Sequence, residues 1–283
     1  MWNRRDIIRT GAAVLATLAV WLSARLLIPA LDYFPPEMLI RKLERSWFVT
    51  SGLRKPVAAT YATVALVLLA IFFNAVQQRW PGRGALKGLA FGTSLAIIWS
   101  LGFLCGWAFH GTTLRAELLN GVLDLALALA GFLVGLAIGR NVPKSVHRVW
   151  KPWFAVLCVA VGFVAVHTVG SRLFANAGGL VTEFLFVPTT LRQFVVLSGL
   201  GVCAGVMFVM LREGLPFNGT LARVAFFAFG VFGHSWTWFH LFNVIDFKGV
   251  LVTVLLLGLM GATGVFAGAL AYEGFAARSR EVE

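Results

Sequence analysis

The chain has 283 residues, 59% of them hydrophobic and only 13% charged, with a mean hydropathy of +0.84. That balance leaves too little polar surface to cover a water-soluble globule, so lipid is the solvent that fits it. Hydrocarbon offers no partner to an open backbone group. Long apolar runs without strand-type alternation must close their hydrogen bonds internally, as helices, which excludes a β-barrel.

Runs long enough to cross a core of about 30 Å lie near Gly11 to Leu31, Val57 to Ala75, Gly88 to Phe109, Leu118 to Ile138, Phe154 to Val169, Phe194 to Met210, Ala225 to Ile245 and Val250 to Tyr272. The expected fold class is an all-α polytopic membrane protein of eight transmembrane helices. The first run is too long and too weakly punctuated by small residues for a signal peptide, and it is read as retained.

Between the first two runs, near residues 35–50, Met38, Leu39, Leu43 and Trp47 interleave with Glu37, Arg41, Lys42, Glu44 and Arg45 just after two prolines. This spacing predicts an interfacial amphipathic helix that anchors to the membrane surface.

Trp80 to Phe91 then aligns with Leu215 to Phe226 at an offset of 135, pairing Pro81 with Pro216 and Gly84 with Gly219. Leu53-Arg54 matches Leu191-Arg192, Ala24-Arg25-Leu26 matches Ser171-Arg172-Leu173, and Gly131-x-x-x-Gly135 matches Gly264-x-x-x-Gly268. Four matches in one order predict two tandem four-helix repeats, 1–140 and 153–283, related by a parallel pseudo-twofold and joined by a basic cytoplasmic linker at 141–152.

The formal charge of +12 resides at span ends. Contact with anionic lipid headgroups accounts for it, and nucleic acid is not expected as a partner. With the amino terminus inside, cytoplasmic segments hold 14 of the 24 Lys and Arg residues. The expectation is a bacterial-type inner membrane with both termini cytoplasmic. Cys105, Cys158 and Cys203 all fall inside apolar runs and imply neither disulfides nor a zinc site.

The matched arginines Arg25, Arg54, Arg172 and Arg192 are candidates for an anion or a lipid headgroup, since guanidinium holds phosphate or carboxylate bidentately. Snorkelling or pairing with Asp32 and Glu183 is the structural alternative. Gly131, Gly135, Gly264 and Gly268 read as close helix packing, and Gly201 with Gly205 suggests another tight crossing.

The seventh run carries His234, Thr237, His240, Asn243 and Asp246, a polar residue at every third position. Such a ridge winds round an α-helix instead of making one face, and tightening toward 3₁₀ geometry would align it better. If the third and seventh spans face each other, it would pack against the small first-half residues around Gly102, Cys105 and Ala108. With Asp124 inside the fourth span, extended by Glu117 and Asn120, these residues are the candidates for a solute or proton path; interhelical hydrogen bonding is the bland alternative.

The stretch Glu213 to Gly219 followed by His234 loosely resembles motifs of CAAX-type intramembrane proteases. Gly214 and Asn218 stand where that family has its second glutamate and its arginine, and no later span supplies its last histidine. No Ser-His-acid set, P-loop, dinucleotide fingerprint or metal signature stands out either, so an enzyme is not the expected class.

The function expected from these residues is a transporter or permease-like protein for a small or anionic solute. A noncatalytic membrane subunit or scaffold binding partner helices or lipids is one alternative. A haem-binding electron-transfer protein, with His167 as second ligand to His234 or His240, is the other, and no cofactor is expected apart from it. A homo-oligomer or a membrane partner subunit stays open.

Overall fold

The computed structural model describes residues 4–27, 43–143, 150–175 and 182–282, without the side chains at 24–27, 183 and 280–282. It is 83% helix, with no strand among the described residues. Seven helices are long and apolar enough to cross a membrane. They are α1 (Arg4–Leu27), α3 (Arg54–Gln77), α4 (Gly84–Phe109), α5 (Leu114–Val122) taken with α6 (Leu125–Ile138), α7 (Pro152–Ala175), α8 (Leu191–Leu211) and α11 (Leu251–Val282). A single turn, α2 (Trp47–Thr50), precedes α3. This is the fold of a multi-pass α-helical membrane protein.

The remaining predicted span is helical but interrupted. Thr220–Ala225 (α9) runs into a π-helix at Phe226–Phe232, and only then into α10, Gly233–Asp246. The wide turn closes where the Gly233 N–H donates to the Ala228 carbonyl, a π-type step. Gly233 also lets α10 approach α11, because a Cβ there would lie 2.6 Å from the Ala262 Cβ. The polar ridge that follows is ordinary α-helix, without the 3₁₀ tightening that would align it on one face.

Helices meet along seams of small residues. In the first half Gly84, Gly88 and Gly92 of α4 face Gly131, Gly135 and Gly139 at the end of α6; a Cβ on Gly88 would sit 2.6 Å from the Gly135 Cα. Removing every Cβ from the seam lets the two backbones touch, which supplies dispersion contact where lipid supplies no hydrophobic drive. Gly264 and Gly268 of α11 form a different seam, with Cβ positions 2.7 Å from the Phe163 Cα and 2.6 Å from the Val159 Cα of α7. The two matched glycine pairs therefore grip non-equivalent partners, since α4 is a third predicted span and α7 a fifth. Gly201 and Gly205 stand against Ala160 and Val156 of α7, where added Cβ atoms would lie 2.8 and 2.7 Å from their Cα atoms.

The helices pack on one another within residues 1–140 and within residues 153–283. In the first, α1 packs on α3 and α6, and α4 on α6; in the second, α7 packs on α8 and α11, and α10 on α11. Across the halves α4 packs on α8, and α10 on α3. Gly111 and Gly249, just beyond α4 and α10, both take the left-handed backbone, with φ of +75 and +77. That conformation ends a helix at little cost only for glycine.

Buried charge is tied down at helix ends. Lys87, 3% exposed, donates from Nζ to the carbonyls of Gln77 at 2.6 Å and Trp80 at 2.8 Å, closing the end of α3. Arg212 meets Glu273 of α11 through Nε at 2.5 Å and Nη2 at 2.8 Å. Within the predicted linker, Asn141 accepts from the Gly84 N–H at 3.0 Å, while residues 144–149 lie outside the described residues. Most of the predicted amphipathic segment does too, up to residue 42. Its described end carries an outward-facing Trp47 and a Ser46 whose N–H donates to the Asp246 carbonyl at 3.0 Å.

Candidate functional site

The fourth predicted span is broken. At Leu123–Asp124 the chain makes a turn, with the Asp124 N–H donating three residues back to the Gly121 carbonyl at 3.0 Å. Within a membrane span such a break is tolerated where protein or a polar cavity receives the backbone. Ser100 of α4 supplies part of that, donating to the Gly121 carbonyl at 3.0 Å. The break leaves Asp124 8% exposed on the wall of a cavity of about 120 Å³.

The cavity is built by α1 with Trp21, α3 with Tyr61, α4 with Gly102 and Cys105 and His110 just beyond it, α5 with Glu117, the α5–α6 break with Asp124, the segment before α8 with Phe184 and Phe186, and α10 with His240 and Asn243. It lies between the predicted halves, lined by all four spans of the first and by the interrupted span and one connecting segment of the second. Glu117 is 3% exposed and fits because Gly106 opposite lacks a side chain, a Cβ there colliding with its carboxylate. Asn120 donates to Glu117 Oε2 at 3.5 Å. Asn243 donates to the His240 carbonyl at 3.0 Å. The Tyr61 hydroxyl donates to the Trp238 carbonyl, and its ring stacks on Trp238 at 5.0 Å between centroids. His240, 2% exposed, keeps Nε2 buried without a hydrogen-bond partner. Among the described residues none that lines the cavity is Lys or Arg.

Of the six path candidates, Asp124, His240 and Asn243 come together here. The others point elsewhere, because three-residue steps rotate round α10. His234 stacks on Trp238 at 5.8 Å and meets Phe72 at a tilt, 5.2 Å away, Thr237 packs on Gly258 of α11, and Asp246 pairs with Arg54, Nε to Oδ1 at 2.5 Å. The face of α10 that meets α4 is not the ridge. Trp99 donates to Ser235 Oγ at 2.9 Å, and Phe239 covers Gly102.

The arginine candidates work on helix ends. Arg54 takes the Asp246 carboxylate at the end of α10, and Arg192 donates to the Ala108 carbonyl at 3.1 Å at the end of α4, lying 4.9 Å over the Trp107 ring. Cations at helix C-termini complement the unpaired carbonyls and the dipole. Arg172 is exposed at the end of α7, and the Arg25 side chain lies outside the described residues.

Sequence reasoning passed over Tyr61, His110 and Phe186. His110 immediately follows an apolar run and precedes a glycine, a helix-end signature that could have flagged it. Tyr61 and Phe186 carry no local signal, because an aromatic in an apolar run reads as packing.

His167 is fully buried against Phe163, Phe186 and Trp236, with ring centroids 4.5, 6.1 and 6.4 Å away. No group of three or more His, Cys, Asp or Glu gathers as metal ligands among the described residues. Comparisons with protein families, with curated proteins and with solved structures each returned no match.

Proposed function

We propose that this chain is a permease-like membrane protein that carries a small solute through the cavity between two four-helix repeats. The observation that carries the reading is Asp124, a carboxylate at the break of a membrane helix and on the wall of a largely apolar, aromatic-lined cavity. Broken helices near mid-membrane and ionisable residues facing a cavity are the usual marks of a solute or ion path. The volume argues for a small cargo, since a cavity of comparable size holds benzene or a few waters.

The interrupted run from Thr220 to Asp246 is the eighth crossing in this reading. The recurrent pairings α1·α6 and α7·α11, α4·α8 and α10·α3 support a parallel pseudo-twofold, as do Arg54 and Arg192 on corresponding helix ends. The seams at Gly131 and Gly264 have diverged from it. The membrane is a bacterial-type inner membrane with both termini inside, on the strength of the charge distribution.

The test is solute entry into proteoliposomes, followed by stopped-flow light scattering with methylammonium, urea and acetate. One of these crosses faster than in protein-free liposomes, and Asp124→Asn or His240→Ala slows it at least about tenfold, a barrier change of about 1.4 kcal/mol. No acceleration for any small solute, or full rates in both variants, would overturn the reading.

A further inference from the structure

We infer that the cavity selects a small primary ammonium ion over neutral and anionic solutes of the same size. The inference rests on the cavity being the solute site. Its walls carry two buried carboxylates, Asp124 and Glu117, and among the described residues no lining Lys or Arg. A cation entering this site stabilises the ionised form of either carboxylate, whereas an anion makes ionising them costlier in a poorly screened environment.

A second, independent feature is His240. Its Nε2 is buried without a partner in a residue that lines the cavity. In the neutral tautomer with the proton on Nδ1, this nitrogen is an acceptor. An ammonium N–H supplies the missing donor; an acetate oxygen does not. A ligand with both charge and N–H donors matches carboxylates and imidazole together.

The rest of the wall favours an alkylammonium over a hydrated metal ion. Trp99, Phe103, Phe184, Phe186 and Phe239 all line the cavity, and aromatic faces attract desolvated organic cations through their quadrupoles. The volume of about 120 Å³ limits the cargo to a few heavy atoms. Basic residues near the site are engaged elsewhere. Arg54, 5.9 Å over the ring of the cavity-lining Phe242, is held by Asp246, and Arg192 by the Ala108 carbonyl.

The experiment is scintillation-proximity binding of radiolabelled methylammonium to the full chain in detergent at constant ionic strength, competed with ethylammonium, methanol and acetate. Ethylammonium competes and acetate does not, and Asp124→Asn and Glu117→Gln each weaken binding about tenfold or more while Arg192→Gln does not. The competition on the unaltered protein is decisive even if an acid variant fails to fold. Acetate or methanol competing as well as ethylammonium overturns the cation selectivity and leaves the cavity as a solute site. Absence of methylammonium binding also overturns it; only when no solute crosses in proteoliposomes either does the permease reading fall with it.

Discussion

Arg54 and Asp246 are 192 residues apart in sequence and form a two-pronged ion pair, Nε to Oδ1 at 2.5 Å and Nη2 to Oδ2 at 3.2 Å. Asp246 is 3% exposed and Arg54 18%. Removing one partner of a buried pair costs about 3–5 kcal/mol, chiefly because the other charge is left desolvated. The partial exposure of Arg54 lets it rehydrate, so Asp246→Ala is expected at about 2–3 kcal/mol and Arg54→Ala at about the same or somewhat more. The double variant removes both charges at once and should cost at least about 1 kcal/mol less than the sum of the singles. Reversible unfolding in mixed micelles, followed by far-UV circular dichroism, measures all four corners of the cycle. Additive losses, with coupling below about 0.5 kcal/mol, would refute the pair as the clasp between α3 and α10.

Gly88→Ala places a methyl against the Gly131 carbonyl and the Gly135 backbone, and should cost about 1–3 kcal/mol by overpacking. Gly199→Ala, where a Cβ meets nothing within 4 Å, should be neutral or gain about 0.5–1 kcal/mol of helix propensity; melting temperatures of the two variants in one detergent compare them directly. Lys87→Met preserves the stem but strips its ammonium from the Gln77 and Trp80 carbonyls, with an expected loss of about 1–3 kcal/mol and faster hydrogen exchange at the end of α3. Glu273→Gln should destabilise by about 2–4 kcal/mol, because it leaves Arg212, 12% exposed, without its carboxylate. Wild-type denaturation midpoints in either charged-residue variant would contradict these assignments.

The spans were legible because lipid selects locally. A run of apolar residues reports its own solvent, and in hydrocarbon that solvent leaves helix as the form that satisfies the backbone. Glycines at four-residue spacing likewise announce a close approach, since residues four apart share a helix face. The pattern does not say which helix approaches. Gly131 and Gly264 match in sequence, yet one seam faces α4 and the other α7, a choice made by the shapes of both surfaces.

The site divides along the same line. Asp124 attracts notice on charge alone, as a carboxylate in an apolar run. Its position at a break is signalled only by the Asn120-Gly121 pair just before it, and the turn is held in part by Ser100 from another helix. The three-residue ridge on α10 read as one unit, but 100° per residue sends His234, Thr237 and Asp246 to three different neighbours. Only His240 and Asn243 reach the cavity with Asp124. Composition and local period decide what the chain dissolves in and which segments are helical. Which polar groups share a cavity depends on contacts between residues far apart in sequence, and the packing of α3, α4, α6 and α10 supplies those.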